Sequence, residues 1–139
     1  AESRDNGVHE IEKKSIPTGS GTILLVDDEE MLVTTEKEML EQLGYTVTAY
    51  TSSMRAYEAF KEMPKEFDVV LTDQTMPEMT GEELARKVLA IREDIPIILC
   101  TGYSSTVTEA KAREVGIKAF ALKPLLKEEI AILVQKVIG

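Results

Sequence analysis

The chain has 139 residues, of which 43% are hydrophobic, and its 25 acidic and 16 basic side chains give a net charge of −9. This length and apolar content favour one globular domain with a real core and exclude an intrinsically disordered chain. The single cysteine, Cys100, excludes an intramolecular disulfide and is typical of a protein from the reducing cytoplasm. The negative charge opposes nonspecific attraction to nucleic acid or anionic lipid, and no apolar run is long enough to cross a bilayer, so we expect direct contact with neither.

The first 21 residues are mostly polar, lack periodicity and end in Pro17-Thr18-Gly19-Ser20-Gly21, which is the composition of a flexible connector. We therefore interpret residues 1–21 as a linker or a remnant of cloning, and residues 22–139 as one domain. His9 followed by Glu10 superficially resembles the phosphoaccepting box of sensor histidine kinases. The segment is too short and polar to form the helical hairpin that such a box requires, so we interpret this match as chance.

From Thr22 onward, short apolar runs alternate with longer amphipathic stretches. The apolar runs predict strands over residues 23–26, 46–50, 69–71, 97–99 and 119–122. Apolar residues at helical spacing predict the buried faces of four of the intervening helices: Leu32, Thr35, Met39, Leu40 and Leu43; Ala56, Ala59, Phe60 and Met63; Leu84, Val88 and Ile91; and Ile130, Leu133, Val134 and Val137.

Two capping boxes mark helix starts, because a Thr is followed three residues later by a Glu in each. Thr80 with Glu83 predicts the start of the third helix, and Thr106 with Glu109 predicts the start of a fourth helix that Gly116 ends.

The strict alternation of strands and helices predicts an α/β fold: a doubly wound five-stranded parallel sheet with right-handed crossovers and five helices covering both faces. Open sheets of this kind place their ligand sites at the carboxyl ends of the strands. The predicted strands would bring five chemically distinctive side chains to that edge, namely Asp27, Asp28, Asp73, Thr101 and Lys123.

Neighbouring carboxylates at a strand end repel one another unless a cation offsets their charge. Oxygen ligands of this kind suit Mg²⁺, which takes one or two carboxylates and keeps several waters. We therefore predict that Asp28 and Asp73 bind Mg²⁺ directly and that Asp27 binds it directly or through water. The backbone carbonyl of Thr75 would complete the protein's share. The two glutamates that follow Asp28 fit a solvated helix start, where the helix dipole stabilises acids.

Asp73 is the predicted nucleophile, because a carboxylate can attack phosphorus and form an acyl phosphate. Phosphoryl transfer depends mainly on positioning and on neutralising negative charge. The ammonium of Lys123 would neutralise the phosphoryl oxygens together with Mg²⁺, while the Thr101 hydroxyl and nearby backbone N–H groups would donate hydrogen bonds.

The ordered set of motifs resembles the signature of response-regulator receiver domains. The matching residues are Asp27-Asp28, Asp73, Met76-Pro77, Gly81, Thr101-Gly102 and Lys123-Pro124. This resemblance implies a flavodoxin-like fold with strand order 2-1-3-4-5. It also implies that Asp73 accepts a phosphoryl group from a phosphohistidine on a histidine kinase or phosphotransfer domain, with Mg²⁺ as cofactor, and that the Lys123–Pro124 bond is cis.

The resemblance further assigns roles around the acceptor. Gly102 would help to bind the phosphoryl group, and Thr75 and Tyr103 would influence the rate at which water removes it. Thr101 and Phe120 would form a two-state switch that alters the surface of the fourth helix, fifth strand and fifth helix. Phe120 lacks the hydroxyl of the more familiar tyrosine, so a plain core role for it is equally consistent with the sequence.

Within this family we favour the C-terminal receiver of a hybrid sensor histidine kinase over a free-standing regulator, and a monomer or weak homodimer. The chain would have no enzymatic activity of its own beyond self-phosphorylation and slow autodephosphorylation. One rival is a Mg²⁺-dependent phosphohydrolase of the haloacid dehalogenase type, although Thr75 stands where such enzymes need a second acid. A flavodoxin-like cofactor binder is a second rival, and a receiver-like interaction module that no longer takes phosphate is a third.

Overall fold

A computed structural model of the chain describes residues 16–102 and 108–138. Five strands and five helices alternate along these ranges. The strands are β1 (Thr22–Val26), β2 (Thr46–Tyr50), β3 (Val69–Asp73), β4 (Ile97–Thr101) and β5 (Ala119–Leu122). The helices are α1 (Glu30–Gln42), α2 (Ser53–Glu62), α3 (Gly81–Ile91), α4 (Glu109–Val115) and α5 (Lys127–Ile138). None of the described helices has the length and apolarity needed to span a bilayer.

The strands form one parallel sheet in the order β2-β1-β3-β4-β5, which confirms the predicted doubly wound fold. The register aligns the strand ends that carry the candidate site. Asp73 at the end of β3 lies beside Cys100 of β4, and Thr101 lies beside Leu122 of β5. The sheet therefore presents the ends of β1, β3, β4 and β5 at a common edge.

Two apolar layers cover the sheet. Alternate strand residues such as Leu24, Val70 and Leu99 pack with α2, α3 and α4 on one face. The intervening residues, including Leu25 and Leu71, pack with α1 and α5 on the other. Every residue of β3 and β4 is buried, as expected for central strands covered on both sides. This double burial fixes the central strand ends that carry the site.

The predicted helix faces need three corrections. Thr35 is exposed and its hydroxyl donates to the carbonyl of Met31, whereas Val33 and Glu36 are buried on α1. Val33, Glu36 and Leu40, which are three and four residues apart, therefore form the inward face of α1. Thr35 is the residue before Glu36 and lies outside this face. Two apolar residues at helix ends are also outside the core: Met63, which caps α2, is 55% exposed, and Ile91, the last residue of α3, is 38% exposed.

The two predicted capping boxes have different outcomes. The box of Thr80 and Glu83 is confirmed, since each side chain accepts a hydrogen bond from the other residue's backbone N–H. The second box is wrong. Thr108 caps α4 by accepting from the backbone N–H of Lys111, and Glu109 is the first helical residue, too early to serve as the third. Thr106 lies outside the described residues.

The predicted domain boundary at residue 21 stays a prediction, but part of the segment before it contacts the domain. The N–H of Gly19 donates to the carbonyl of Leu43 at 2.9 Å, and the N–H of Thr46 donates to the carbonyl of Gly21 at 2.8 Å. Ile16 packs against the apolar layer beneath α1 and α5. Residues 16–21 are thus attached at the end of the sheet opposite to the candidate site.

Phe60 tests the assignment of the α2 face. Its side chain is fully buried and stacks on Phe67 with 5.9 Å between ring centroids. We expect Phe60→Ala to lower the free energy of unfolding by about 3–5 kcal/mol, because it leaves a cavity. Met63→Ala on the same helix end should change it by only about 0.5 kcal/mol. Urea unfolding measures both values, and similar losses for the two variants would contradict the assignment.

Candidate functional site

Asp27 directly follows β1 and is only 1% exposed. Its backbone N–H donates to the carbonyl of Tyr50 at 3.2 Å, which extends the β1–β2 pairing by one residue. One carboxylate oxygen, Oδ1, accepts from the N–H of Glu29 at 3.0 Å. These bonds hold the carboxylate at the strand end just before α1, with its second oxygen directed towards the neighbouring strands.

Three carboxylates converge at this edge of the sheet. Asp27, Asp28 and Asp73 each offer a ligand atom within 4.8 Å of the other two. Asp27 and Asp73 are buried, whereas Asp28 is exposed. The cluster is therefore open to solvent on the side of Asp28 and closed beneath by the sheet.

Lys123 bridges the two buried carboxylates. Its Nζ lies 2.8 Å from Oδ2 of Asp27 and 3.1 Å from Oδ1 of Asp73. Its backbone N–H donates to the carbonyl of Thr101 at 2.7 Å, and the following Lys123–Pro124 bond is cis, as the resemblance implied. Burial alone would lower the pKa of the ammonium, but the hydrogen bonds and charges of the two aspartates outweigh burial and raise it. Lys123 is therefore a permanent cation in this site.

The pKa of Asp73 is raised above its usual range, first by burial and then by the negative charge of Asp27, while Lys123 opposes the rise. The ammonium thus favours the carboxylate form that the surrounding burial disfavours. The ionised carboxylate is the form that acts as a nucleophile or metal ligand, so the pairing with Lys123 favours that form.

The other predicted site residues lie around this cluster. Thr101 ends β4 and is buried, with Gly102 directly after it. Thr75 is exposed two residues after Asp73. Phe120 on β5 is partly buried and packs against the apolar layer of α2, α3 and α4. Tyr103 lies outside the described residues.

The donor set fits a hard divalent cation. All three candidate side-chain ligands are carboxylates, and the half-buried ammonium of Lys123 cannot balance three negative charges. Mg²⁺ prefers oxygen ligands and keeps several waters, which the exposed side of the cluster can accommodate.

Glu36 is an acidic residue near the aspartate cluster that the predicted buried face of α1 did not include. It is only 6% exposed, and its pKa is raised to about 7 by burial and by the charges of Asp27 and Asp73, against the effect of Lys123. Its spacing from Val33 and Leu40 was the available signal, because residues three and four apart share one helix face. The sequence could have identified Glu36 in this way, as an acidic residue on an otherwise apolar face of the helix.

The sequence and structure match one known family. The family model for the response regulator receiver domain matches residues 23–135. The chain belongs to this family and is a receiver domain of two-component signalling systems, as the resemblance implied.

Two curated relatives illustrate the settings in which such domains occur. The sensor kinase CckA of Brucella abortus is 34% identical over 131 residues, which cover 92% of this chain but 14% of the kinase. The response regulator receiver protein CpdR of the same organism is 35% identical over 111 residues, which cover 76% of this chain and 91% of CpdR.

A solved receiver domain provides the structural comparison. The receiver domain of the sensor histidine kinase PA1611 from Pseudomonas aeruginosa superposes with a TM-score of 0.77 and 26% identity, covering 87% of this chain and 99% of that one. That structure has a magnesium ion coordinated in its active-site cleft. The described part of the present chain contains a cluster of three aspartates that could hold a metal ion.

Glu36 makes folding stability depend on pH. Its folded pKa of about 7 lies above the ordinary value of 4.5, so the folded state holds a proton that the unfolded state releases between these values. The contribution of Glu36 to stability should therefore decrease as pH rises through this window. We expect Glu36→Gln to gain stability relative to wild type by on the order of 2 kcal/mol more at pH 8 than at pH 5.

Urea unfolding in EDTA at the two pH values measures this difference. Glu38→Gln is the matched control, since Glu38 is exposed on the same helix and should show no such difference. An equal effect of Glu36→Gln at both pH values would contradict the prediction.

Proposed function

We propose that this receiver domain accepts a phosphoryl group from a phosphohistidine onto the carboxylate of Asp73. The observation that carries the proposal is the pairing of the Lys123 ammonium with Asp73 at 3.1 Å, inside a cluster of three aspartates. A buried carboxyl group beside a fixed cation, at an edge open to solvent, is the arrangement that an acyl phosphate requires.

In the proposed reaction, one oxygen of Asp73 forms a bond to phosphorus while the bond between phosphorus and the imidazole nitrogen of the donor breaks. The electron pair of that bond leaves with the imidazole, so no further reactant is needed. Mg²⁺, held by Asp27, Asp28, Asp73 and the backbone carbonyl of Thr75, would neutralise negative charge on the phosphoryl oxygens.

Lys123 would exchange its contact with the Asp73 carboxylate for a contact with a phosphoryl oxygen. Its position suits this exchange, because the ammonium also contacts Oδ2 of Asp27 at 2.8 Å and would keep that contact. Thr101 ends the adjacent strand, so its hydroxyl and the N–H of Gly102 are the proposed hydrogen-bond donors to the phosphoryl group. The charge that phosphorylation adds is thereby shared among groups on three strands.

The signalling response would begin at Thr101. The phosphoryl group would draw the Thr101 hydroxyl inward, and the space that the hydroxyl leaves would become available to the Phe120 ring. Phe120 pairs with Leu99 on the strand that carries Thr101. Partial burial of Phe120 is compatible with such a movement. The surface of α4, β5 and α5 would then change, while Thr75 and Tyr103 would influence how fast water removes the phosphate.

The partner that donates the phosphoryl group would be a histidine kinase or a histidine phosphotransfer domain. The likeness to the sensor kinase CckA supports a receiver attached to a hybrid kinase, and the likeness to CpdR supports a free-standing regulator. We favour the hybrid-kinase setting, in the cytoplasm, with the receiver as a monomer or weak homodimer that does not contact nucleic acid or membrane directly.

Asp73→Asn tests the phosphoacceptor. Acetyl phosphate with Mg²⁺ should add one phosphoryl group to the wild-type chain, and the substitution should abolish the addition, because an amide oxygen is a poor nucleophile. Intact-mass spectrometry measures the gain. Asp94→Asn is the control, since Asp94 is exposed and pairs with Arg92 at the far end of the sheet. Uptake that survives Asp73→Asn would place the chemistry elsewhere.

Asp28→Ala and Lys123→Ala should separate metal binding from phosphoryl transfer. We expect Asp28→Ala to weaken Mg²⁺ binding, because it removes a carboxylate ligand. Lys123→Ala should leave Mg²⁺ binding largely intact but slow phosphorylation by about 100-fold, the usual cost of removing a charge-stabilising donor. Calorimetric titration with Mg²⁺ and phosphorylation rates at saturating Mg²⁺ measure the two effects.

Lys127→Ala is the control for the lysine variant, since the Lys127 Nζ bonds to the side chain of Gln42 rather than to the aspartates. An Asp28→Ala variant with an unchanged Mg²⁺ titration would refute the ligand role of Asp28.

A further inference from the structure

Gln74, the residue after the proposed phosphoacceptor, satisfies the first two backbone amides of α3. The N–H of Gly81 donates to the backbone carbonyl of Gln74 at 3.0 Å. The N–H of Glu82 donates to its side-chain Oε1 at 2.8 Å. The third amide of α3, that of Glu83, donates to the hydroxyl of Thr80 at 3.2 Å. The first turn of a helix leaves such amides without partners inside the helix, so Gln74 acts as a cap supplied from a neighbouring strand end.

Gln74 is also attached to the sheet. Its own N–H donates to the carbonyl of Cys100 at 2.9 Å, continuing the β3–β4 ladder past Asp73. The residue is only 8% exposed. A close approach supports this arrangement, because a Cβ on Gly81 would meet the backbone carbonyl oxygen of Asp73. Gln74 therefore joins β4, the end of β3 and the start of α3 at one point.

This junction determines the backbone on both sides of Gln74. Asp73 precedes it, and Thr75, whose carbonyl is a proposed metal ligand, follows it. Thr75 is exposed between buried Gln74 and buried Met76, so its own side chain contributes little to holding the loop. Gln74 is therefore the neighbour whose hydrogen bonds can fix the backbone that leads to the Thr75 carbonyl.

We propose that Gln74 is a positioning residue of the metal and phosphoryl site, which sets the Thr75 carbonyl for Mg²⁺ by fastening the loop after β3 to the amino end of α3. This inference rests on the proposed function. Without the side-chain bond, the loop samples more conformations, and cation binding must order it at a cost in affinity. The cost falls on Mg²⁺ binding rather than on the chemical step, because Gln74 does not touch the reacting atoms.

Gln74→Met tests the proposal, because methionine has similar length but cannot accept the amide of Glu82. We expect Mg²⁺ alone to bind about tenfold more weakly, the usual scale for losing a residue that orients a ligand. Calorimetric titration with Mg²⁺ is the direct readout. Phosphorylation by acetyl phosphate should slow at low Mg²⁺ and recover at saturating Mg²⁺. Gln74→Asn, whose side chain is too short to reach, should show the same weakening if Gln74→Met folds poorly.

Two further variants separate positioning from simple loss of helix capping. Thr80→Ala removes a different cap of the same turn and should lower the thermal midpoint by about 3 °C without changing Mg²⁺ affinity. Gln74→Glu keeps an acceptor oxygen at the same place and should bind Mg²⁺ at least as tightly as wild type.

An unchanged Mg²⁺ affinity in Gln74→Met, or an equal weakening in Thr80→Ala, would overturn the positioning role while leaving the proposed function intact. A wild-type chain that binds no Mg²⁺ would instead overturn the proposed function and this inference with it. Titration of Asp28→Ala in parallel distinguishes the two failures, because that variant should weaken binding only if the metal site exists.

Discussion

Negative charge packed at one edge of the sheet is the constraint on which the rest of the structure depends. Asp27, Asp28 and Asp73 bring ligand atoms within 4.8 Å of one another, and two of these carboxylates are buried. Such a cluster is unfavourable unless cations offset it. Lys123 supplies one fixed positive charge and leaves the cluster net negative. The remaining imbalance favours a divalent cation, and in the proposed function this cation and Lys123 would together allow Asp73 to carry a phosphate.

The parallel sheet holds the clustered carboxylates in place despite their mutual repulsion. The charged groups follow or end three strands, β1, β3 and β5, and apolar layers cover both faces of the sheet. The strands β1 and β3 are hydrogen-bonded to a neighbour on each side, whereas β5 lies at the edge beside β4. The strands are stabilised by burial remote from the site, so the site residues need not contribute to stability themselves. The proposed exchange of partners by Lys123 would therefore leave the strand ends in their positions.

Behind the carboxylates, two residues modify the site without forming part of it. Glu36 places a further acid near the cluster, and its pKa of about 7 means that it adds negative charge mainly above neutral pH. Gln74 instead controls geometry, because it fastens the strand end that carries Asp73 to α3. The charge near the cluster and the backbone beside Asp73 therefore depend in part on residues outside the cluster.

The linear order of residues determined the alternation of strands and helices, and with it the edge at which the charged side chains meet, because apolar runs and helical periodicity are local patterns. Tertiary packing decided which face of each helix is inward. On α1, Glu36 is buried where the periodicity predicted Thr35, because the rotation of the helix about its axis depends on contacts with the sheet and with α5. Tertiary packing also decided the bond between Lys123 and Asp27, which are 96 residues apart, and the capping of α3 by Gln74. Contacts of this kind depend on strand register and loop closure, which no local pattern in the chain encodes.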